Sequence, residues 1–177
     1  PRRRQSYSKP RDFGGRLSAT TRTGDDGRLA RAEAQGNLGP FGFLGGLSLQ
    51  SFGDRDLGDD QGKALPTAYH GRSADLALDW RAEKVVYRAT WQHALQSHLP
   101  RYDQYEQARR YGAVGNFIEF TFDPERRDLL VVEAKGEDLS GPFSSLEARA
   151  HWQRQEEGSR QQRRTTKDIQ IFRDVVN

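Results

Sequence analysis

From Gly15 to Val176 the chain repeats one unit: a segment in which apolar and polar side chains alternate, closed by residues that turn the backbone. Alternation with a period of two sorts side chains onto opposite faces of an extended strand, so each unit reads as a strand with one apolar face. Eight units read this way, at residues 15–22, 28–35, 41–52, 72–81, 84–96, 126–134, 144–154 and 166–176. In the second, Ala30, Ala32 and Ala34 oppose Arg31, Glu33 and Gln35. The fourth sets Ala74, Leu76, Leu78 and Trp80 against Ser73, Asp75, Ala77 and Asp79. The seventh sets Leu146, Ala148, Ala150 and Trp152 against Glu147, Arg149, His151 and Gln153.

The connections carry a second pattern. Gly24–Asp25–Asp26–Gly27 closes the first hairpin, since Asp and Gly tolerate the positive φ of tight turns. After it, short connections at 36–40, 82–83 and 136–143 alternate with long polar ones at 53–71, 97–125 and 155–164. Within the second long one, 117–122 is apolar enough to extend a strand. An antiparallel meander with every long loop at one edge matches transmembrane barrels, whose turns are short on one side and long on the other. The fold class expected is therefore all-β: an antiparallel up-and-down meander of about eight strands, part of a larger transmembrane β-barrel.

Composition agrees. Only 34% of the 177 residues are hydrophobic, below the roughly 45–50% of a soluble domain with its own core. Disorder is one state that tolerates so little apolar surface, but 10% aromatics and sustained alternation oppose it. A barrel wall is the other, because only its lipid face needs to be apolar. No run approaches the ~18 apolar residues of a membrane helix. The absence of cysteine removes disulfide frameworks and thiol chemistry. Without methionine, Pro1 is not expected to start an unprocessed reading frame: either a signal segment has been removed or this is an internal piece of something longer. Basic and acidic residues, 28 and 25, are interspersed rather than gathered into the basic footprint of a nucleic-acid binder.

No catalytic residues and no metal site are expected, and no cofactor. Serines lack a nucleophile-elbow context. Gly39, Gly42, Gly45 and Gly46 fall in an alternating strand rather than between a strand and a helix, so they are not read as a phosphate loop. His70 and His98 fall in long loops without a second ligand spaced for chelation, and His151 reads as a polar-face residue. One cluster stands out: Arg101, Arg109 and Arg110 interleave with Tyr102, Tyr105 and Tyr111. Guanidinium forks and aromatic faces suit anionic aromatic chelates. With His70, these six are the candidate ligand-contacting residues; a solvated, charged loop is the plainer account of the same residues. Phe41, Phe52, Trp80, Trp91 and Trp152 are the candidate membrane-interface aromatics.

Several segments together resemble TonB-dependent outer-membrane receptors. Arg2-Arg3-Arg4-Gln5-Ser6-Tyr7 resembles the end of that family's plug domain, and Arg11-Asp12-Phe13-Gly14-Gly15 the entry to its first barrel strand. Leu99-Pro100-Arg101-Tyr102-Asp103, Phe122-Asp123-Pro124-Glu125-Arg126-Arg127-Asp128-Leu129 and His151-Trp152-Gln153-Arg154-Gln155-Glu156-Glu157 resemble later landmarks in the same order. The resemblance implies a plug-to-barrel linker at 1–14 and a partial barrel at 15–177, in the outer membrane of a Gram-negative bacterium. It implies a wall of about 22 strands around a plug, not an enzyme. It implies uptake of a scarce nutrient, such as an iron-siderophore, haem or cobalamin, energised through TonB. The partners implied are outer-membrane lipid, the plug domain, the remaining strands, TonB and a small-molecule metal chelate; no nucleic acid is among them. Two other readings share the pattern: a complete eight-stranded outer-membrane barrel with an adhesive or structural role, and a soluble β-rich binding module.

Overall fold

The computed structural model describes residues 11–58, 61–105, 117–139, 142–164 and 169–176. Strands β1 (Arg11–Arg22), β2 (Gly27–Leu38) and β3 (Phe41–Phe52) are followed by the short strands β4 (Arg55–Asp56) and β5 (Lys63–Ala64). Then come β6 (Tyr69–Ala82), β7 (Val85–Ser97), the two-residue β8 (Leu99–Pro100), β9 (Phe117–Glu137), β10 (Ser145–Arg164) and β11 (Ile169–Val176). The principal sheet runs β1-β2-β3-β6-β7-β9-β10-β11, antiparallel throughout, with β8 added alongside β9. Each strand along this path pairs with the next one of the path in chain order, so the expected meander is present. The sheet does not close: among the described residues β1 pairs only with β2, and β11 only with β10.

One edge carries the tight turns. Residues 39–40 and 83–84 are two-residue turns in which Gly39 and Glu83 take positive φ. The other edge carries the longer connections and is itself built up. β4 and β5 pair within the 53–68 connection, which folds back onto the first hairpin turn: Gly53 N–H donates to Asp25 O and Asp56 N–H to Gly24 O, both at 2.7 Å. Lys63 Nζ lies 3.1 Å from the Asp26 carboxylate. The Asp54 carboxylate accepts from the backbone of Thr67 and Ala68, closing the connection internally.

The strands are longer than alternation alone predicts. β1 begins at Arg11, so residues 11–14, read as the end of a linker, are its first rungs against β2. β9 and β10 run 21 and 20 residues, about twice the 9–11 that cross a bilayer. Residues 155–164, expected as a loop, are strand, and 117–125 is continuous with 126–137. Residues 155–164 are polar on both sides, which is what a strand wetted on both faces looks like. Such a strand keeps its backbone pairing and loses its alternation.

A bulge marks the passage into this extension. Glu125 pairs with Glu157 and Phe122 with Ser159, so Asp123 and Pro124 together face Gly158. Pro124 cannot donate to the ladder, and a bulge is where a strand tolerates that. Gly158 is buried there, with no room for a side chain against the Asp123 carbonyl.

The sheet has no core of its own. Among the described residues the only buried hydrophobic ones are Phe52 and Ala64, and no side chain is fully buried.

Candidate functional site

Partners directly opposite in an antiparallel ladder share a face, so the register divides the sheet's side chains into two sets. Leu17 faces Ala32, Ala32 faces Leu47, and Leu47 faces Ala74. Following the ladder gathers Phe13, Leu17, Leu38, Phe41, Leu47, Leu49, Leu76, Leu78, Trp80, Tyr87, Trp91, Leu130, Val132, Leu146 and Trp152 on one face. Every one of them is exposed, from 37% at Leu76 to 85% at Leu17. Each such side chain left in water forfeits roughly 1.5–3 kcal/mol of burial. An apolar face this broad needs a cover.

That face is a band with defined margins. At the tight-turn edge, Phe41, Trp80 and Tyr87 lie in one row and stack, with ring centroids 6.1 and 5.2 Å apart. Toward the other edge, Trp91, Leu130 and Trp152 form one row, and the next row is His93, Asp128 and Arg154. Further across, β6 stays apolar to Ala74 with Arg72 beyond, and β3 stays apolar to Leu49 with Ser51 beyond. Leu49 is opposite Arg72 and Ala74 opposite His93, so the upper margin steps down across the strands. The strands therefore tilt against the band, as barrel strands must against their axis. Gly36 sits under this face where the Phe13 and Phe43 rings close over it from both sides, centroids 6.4 Å apart.

The opposite face is polar and cross-linked by ion pairs. Arg31 on β2 reaches Glu33 at 2.9 Å, Ser48 Oγ at 2.8 Å and Asp75 on β6 at 2.8 Å. To do so its guanidinium crosses β3 over Gly46, in space that a side chain there would fill. Arg88 grips the Asp79 carboxylate with two hydrogen bonds, and Arg149 lies 2.6 Å from Glu133. Sequence inspection did not single out this network. Its trace is an arginine and an aspartate on the polar faces of β2 and β6 with only glycine between them on β3.

Four of the five candidate interface aromatics lie on the apolar face: Phe41 and Trp80 at the tight-turn margin, Trp91 and Trp152 at the other. Phe52 does not. It is opposite Tyr69 on the polar face, buried to 6% exposure, stacked on Tyr69 at 4.7 Å and covered by the Arg22 guanidinium. Phe41 and Phe52 are an odd number of residues apart on one strand, so they cannot share a face.

Of the candidate ligand-contacting residues, Arg109, Arg110 and Tyr111 lie outside the described residues. Arg101 lies over the Phe120 and Phe122 rings, 5.4 and 5.2 Å from their centroids. It also grips Asp103 through two hydrogen bonds of 2.9 and 2.8 Å, which hold that carboxyl well below the usual carboxylate range. Tyr102 begins the helical turn at 102–105. Tyr105 Oη accepts from Phe120 N–H at 2.6 Å, and burial raises the phenol's pKa. Arg101 and Tyr105 thus fasten the connection to the protruding part of β9. His70 is elsewhere, beyond the apolar band, with Nδ1 3.0 Å from Ser51 Oγ. His98 Nδ1 lies 3.7 Å from Asp123. Among the described residues no three His, Asp or Glu side chains converge as a metal site.

No protein-family model, curated protein or solved structure matches the chain.

Proposed function

We propose that the chain is part of the wall of an outer-membrane β-barrel, and that the barrel is a TonB-dependent uptake receptor. The observation that carries the first step is the sorting of side chains. Every exposed large hydrophobic of the principal sheet's described strands lies on one face, and the ion-pair network from Arg31 to Asp75 lies on the other. A water-soluble sandwich would bury the first face; a barrel wall turns it to lipid and the second to the lumen. Among the described residues the outer edges of β1 and β11 are unpaired, which in this reading calls for further strands, since unpaired backbone in hydrocarbon costs several kcal/mol per group. A closed eight-stranded barrel would instead pair β1 with β11.

The second step rests on the resemblance of ordered segments from Arg11 to Glu157 and on the built-up loop edge. In this reading the long connections meet a small metal chelate first. The plug then rearranges, driven by TonB, and the ion-paired face lines the path.

The absence of cysteine makes the first step directly measurable. Single cysteines at Leu47, Leu78 and Val132, and at Ser48, Thr90 and Glu133, would carry nitroxides in the full-length barrel reconstituted in vesicles. The first three are expected to be relaxed by oxygen and the second three by a water-soluble nickel chelate. Nickel access at all six would sink the barrel wall. For the second step, deletion of the gene should abolish growth on a ferric siderophore, haem or cobalamin supplied as the sole source, with growth restored by complementation. Unchanged growth and uptake on all three classes would overturn the uptake role.

A further inference from the structure

The margin of the apolar band at the long-connection edge is charged, and from β2 to β10 the tight-turn margin is not. On the apolar face, Arg28, Arg72, Arg126 and Arg154 lie beyond the last apolar row, whereas Ala82, Val85, Gly136 and Leu146 end the other margin. Two of the arginines are already engaged: Arg126 with Asp128 at 2.9 Å, and Arg154 with Glu156 at 3.2 Å. The side chains of Arg28 and Arg72 make no hydrogen bond or ion pair among the described residues, and both residues are exposed. The nearby acids of the first hairpin are taken: Asp25 by Arg22 and Asp26 by Lys63.

These two arginines flank a groove of about 720 Å³ on the sheet surface. Ala19, Ala30, Leu49 and Leu95 are among the residues that line it, and Ser51 with His70 stands at its head. Arg28 is opposite Ser51, and Arg72 is opposite Leu49, so the cations stand on either side of β3 at the groove's charged end. Apolar floor and cationic head together are the shape of an amphiphile with an anionic headgroup.

We propose that this groove holds a phosphate-bearing lipid, its headgroup between Arg28 and Arg72 and its acyl chain along Ala30 and Leu49. The inference rests on the membrane reading of the apolar face. Guanidinium groups pair with phosphate through forked, charge-assisted hydrogen bonds. Charge complementarity selects the occupant, because a zwitterionic headgroup brings its own cation to the same place.

The test uses the full-length barrel in a neutral detergent, titrated with phosphatidylglycerol or phosphatidylcholine and read by native mass spectrometry. The wild type should retain phosphatidylglycerol in preference to phosphatidylcholine. Arg28→Gln with Arg72→Gln should weaken that retention by roughly twenty-five-fold, about fivefold for each basic side chain at an anionic surface. The pair Arg28→Lys and Arg72→Lys should recover part of it. Equal retention of both lipids, or an unchanged double variant, overturns the proposal. Displacement by millimolar inorganic phosphate alone also overturns it, since the site would then read phosphate without lipid. The membrane reading fails separately: a barrel that stays outside vesicles of either lipid refutes that reading, whatever the arginines do.

Discussion

On the barrel-wall proposal, Leu76→Arg in the full-length protein should lower stability in vesicles by about 2–4 kcal/mol, the cost of a cation facing lipid near the middle of a barrel wall. Leu76 lies on the apolar face between Ala74 and Leu78, inside the band rather than at its charged margin. Thr90→Arg is the matched control. Thr90 is on β7 opposite Ala77, whose face holds Asp75 and Asp79. A cation there meets water and carboxylates, and the change should stay within about 1 kcal/mol. Urea titration, with the folded fraction followed by gel mobility of unheated samples, measures both. Equal costs would mean that both faces see the same solvent. A larger cost at Thr90 would mean that the polar face is the buried one, as in a soluble sandwich.

Gly158→Ala should cost about 1–3 kcal/mol, the range for forcing atoms into a packed site. A Cβ at Gly158 would sit 2.6 Å from the Asp123 carbonyl oxygen and 3.0 Å from Pro124 Cδ. Those obstacles are backbone and a proline ring, so neither can swing aside as a side-chain tip would. Relief must come from opening the bulge, which also loosens the pairing of 159–163 with β9. Gly24 supplies the comparison, because a Cβ there meets nothing within 4 Å. Gly24→Ala should be neutral or slightly stabilising. A shifted urea midpoint at constant slope, joined by faster proteolysis beyond residue 158, is the expected signature for Gly158→Ala. Coincident midpoints for the two variants would show that the bulge is not tight.

The meander was legible because a period of two survives in any strand with dissimilar faces. Ala30, Ala32 and Ala34 against Arg31, Glu33 and Gln35 is enough to fix both the strand and its parity. Strand ends were not legible where the surroundings become uniform. Residues 155–164 are polar at nearly every position, so nothing in their pattern separates a paired strand in water from a loop. The 53–68 connection was missed for another reason. Its order comes from side chain to backbone bonds, such as Asp54 to Thr67, that leave no periodic mark. The candidate cluster is partly visible: Arg101 is placed by Phe120 and Phe122, residues far along the chain whose proximity only the register of β8 against β9 supplies.

The sorting of side chains by strand pairing has a consequence for the chain before it folds. Read in order, its residues offer no long oily stretch to a translocation machine: alternation places a polar residue beside almost every apolar one. A hydrophobic helix would be held in the first bilayer it met. A chain without such a stretch is not held in that way. Its greasy surface comes into being only when neighbouring strands zip and bring Leu17, Ala32, Leu47 and Ala74 into line. On the barrel-wall proposal, affinity for lipid is thus a property of the strand register and not of the residues read in order.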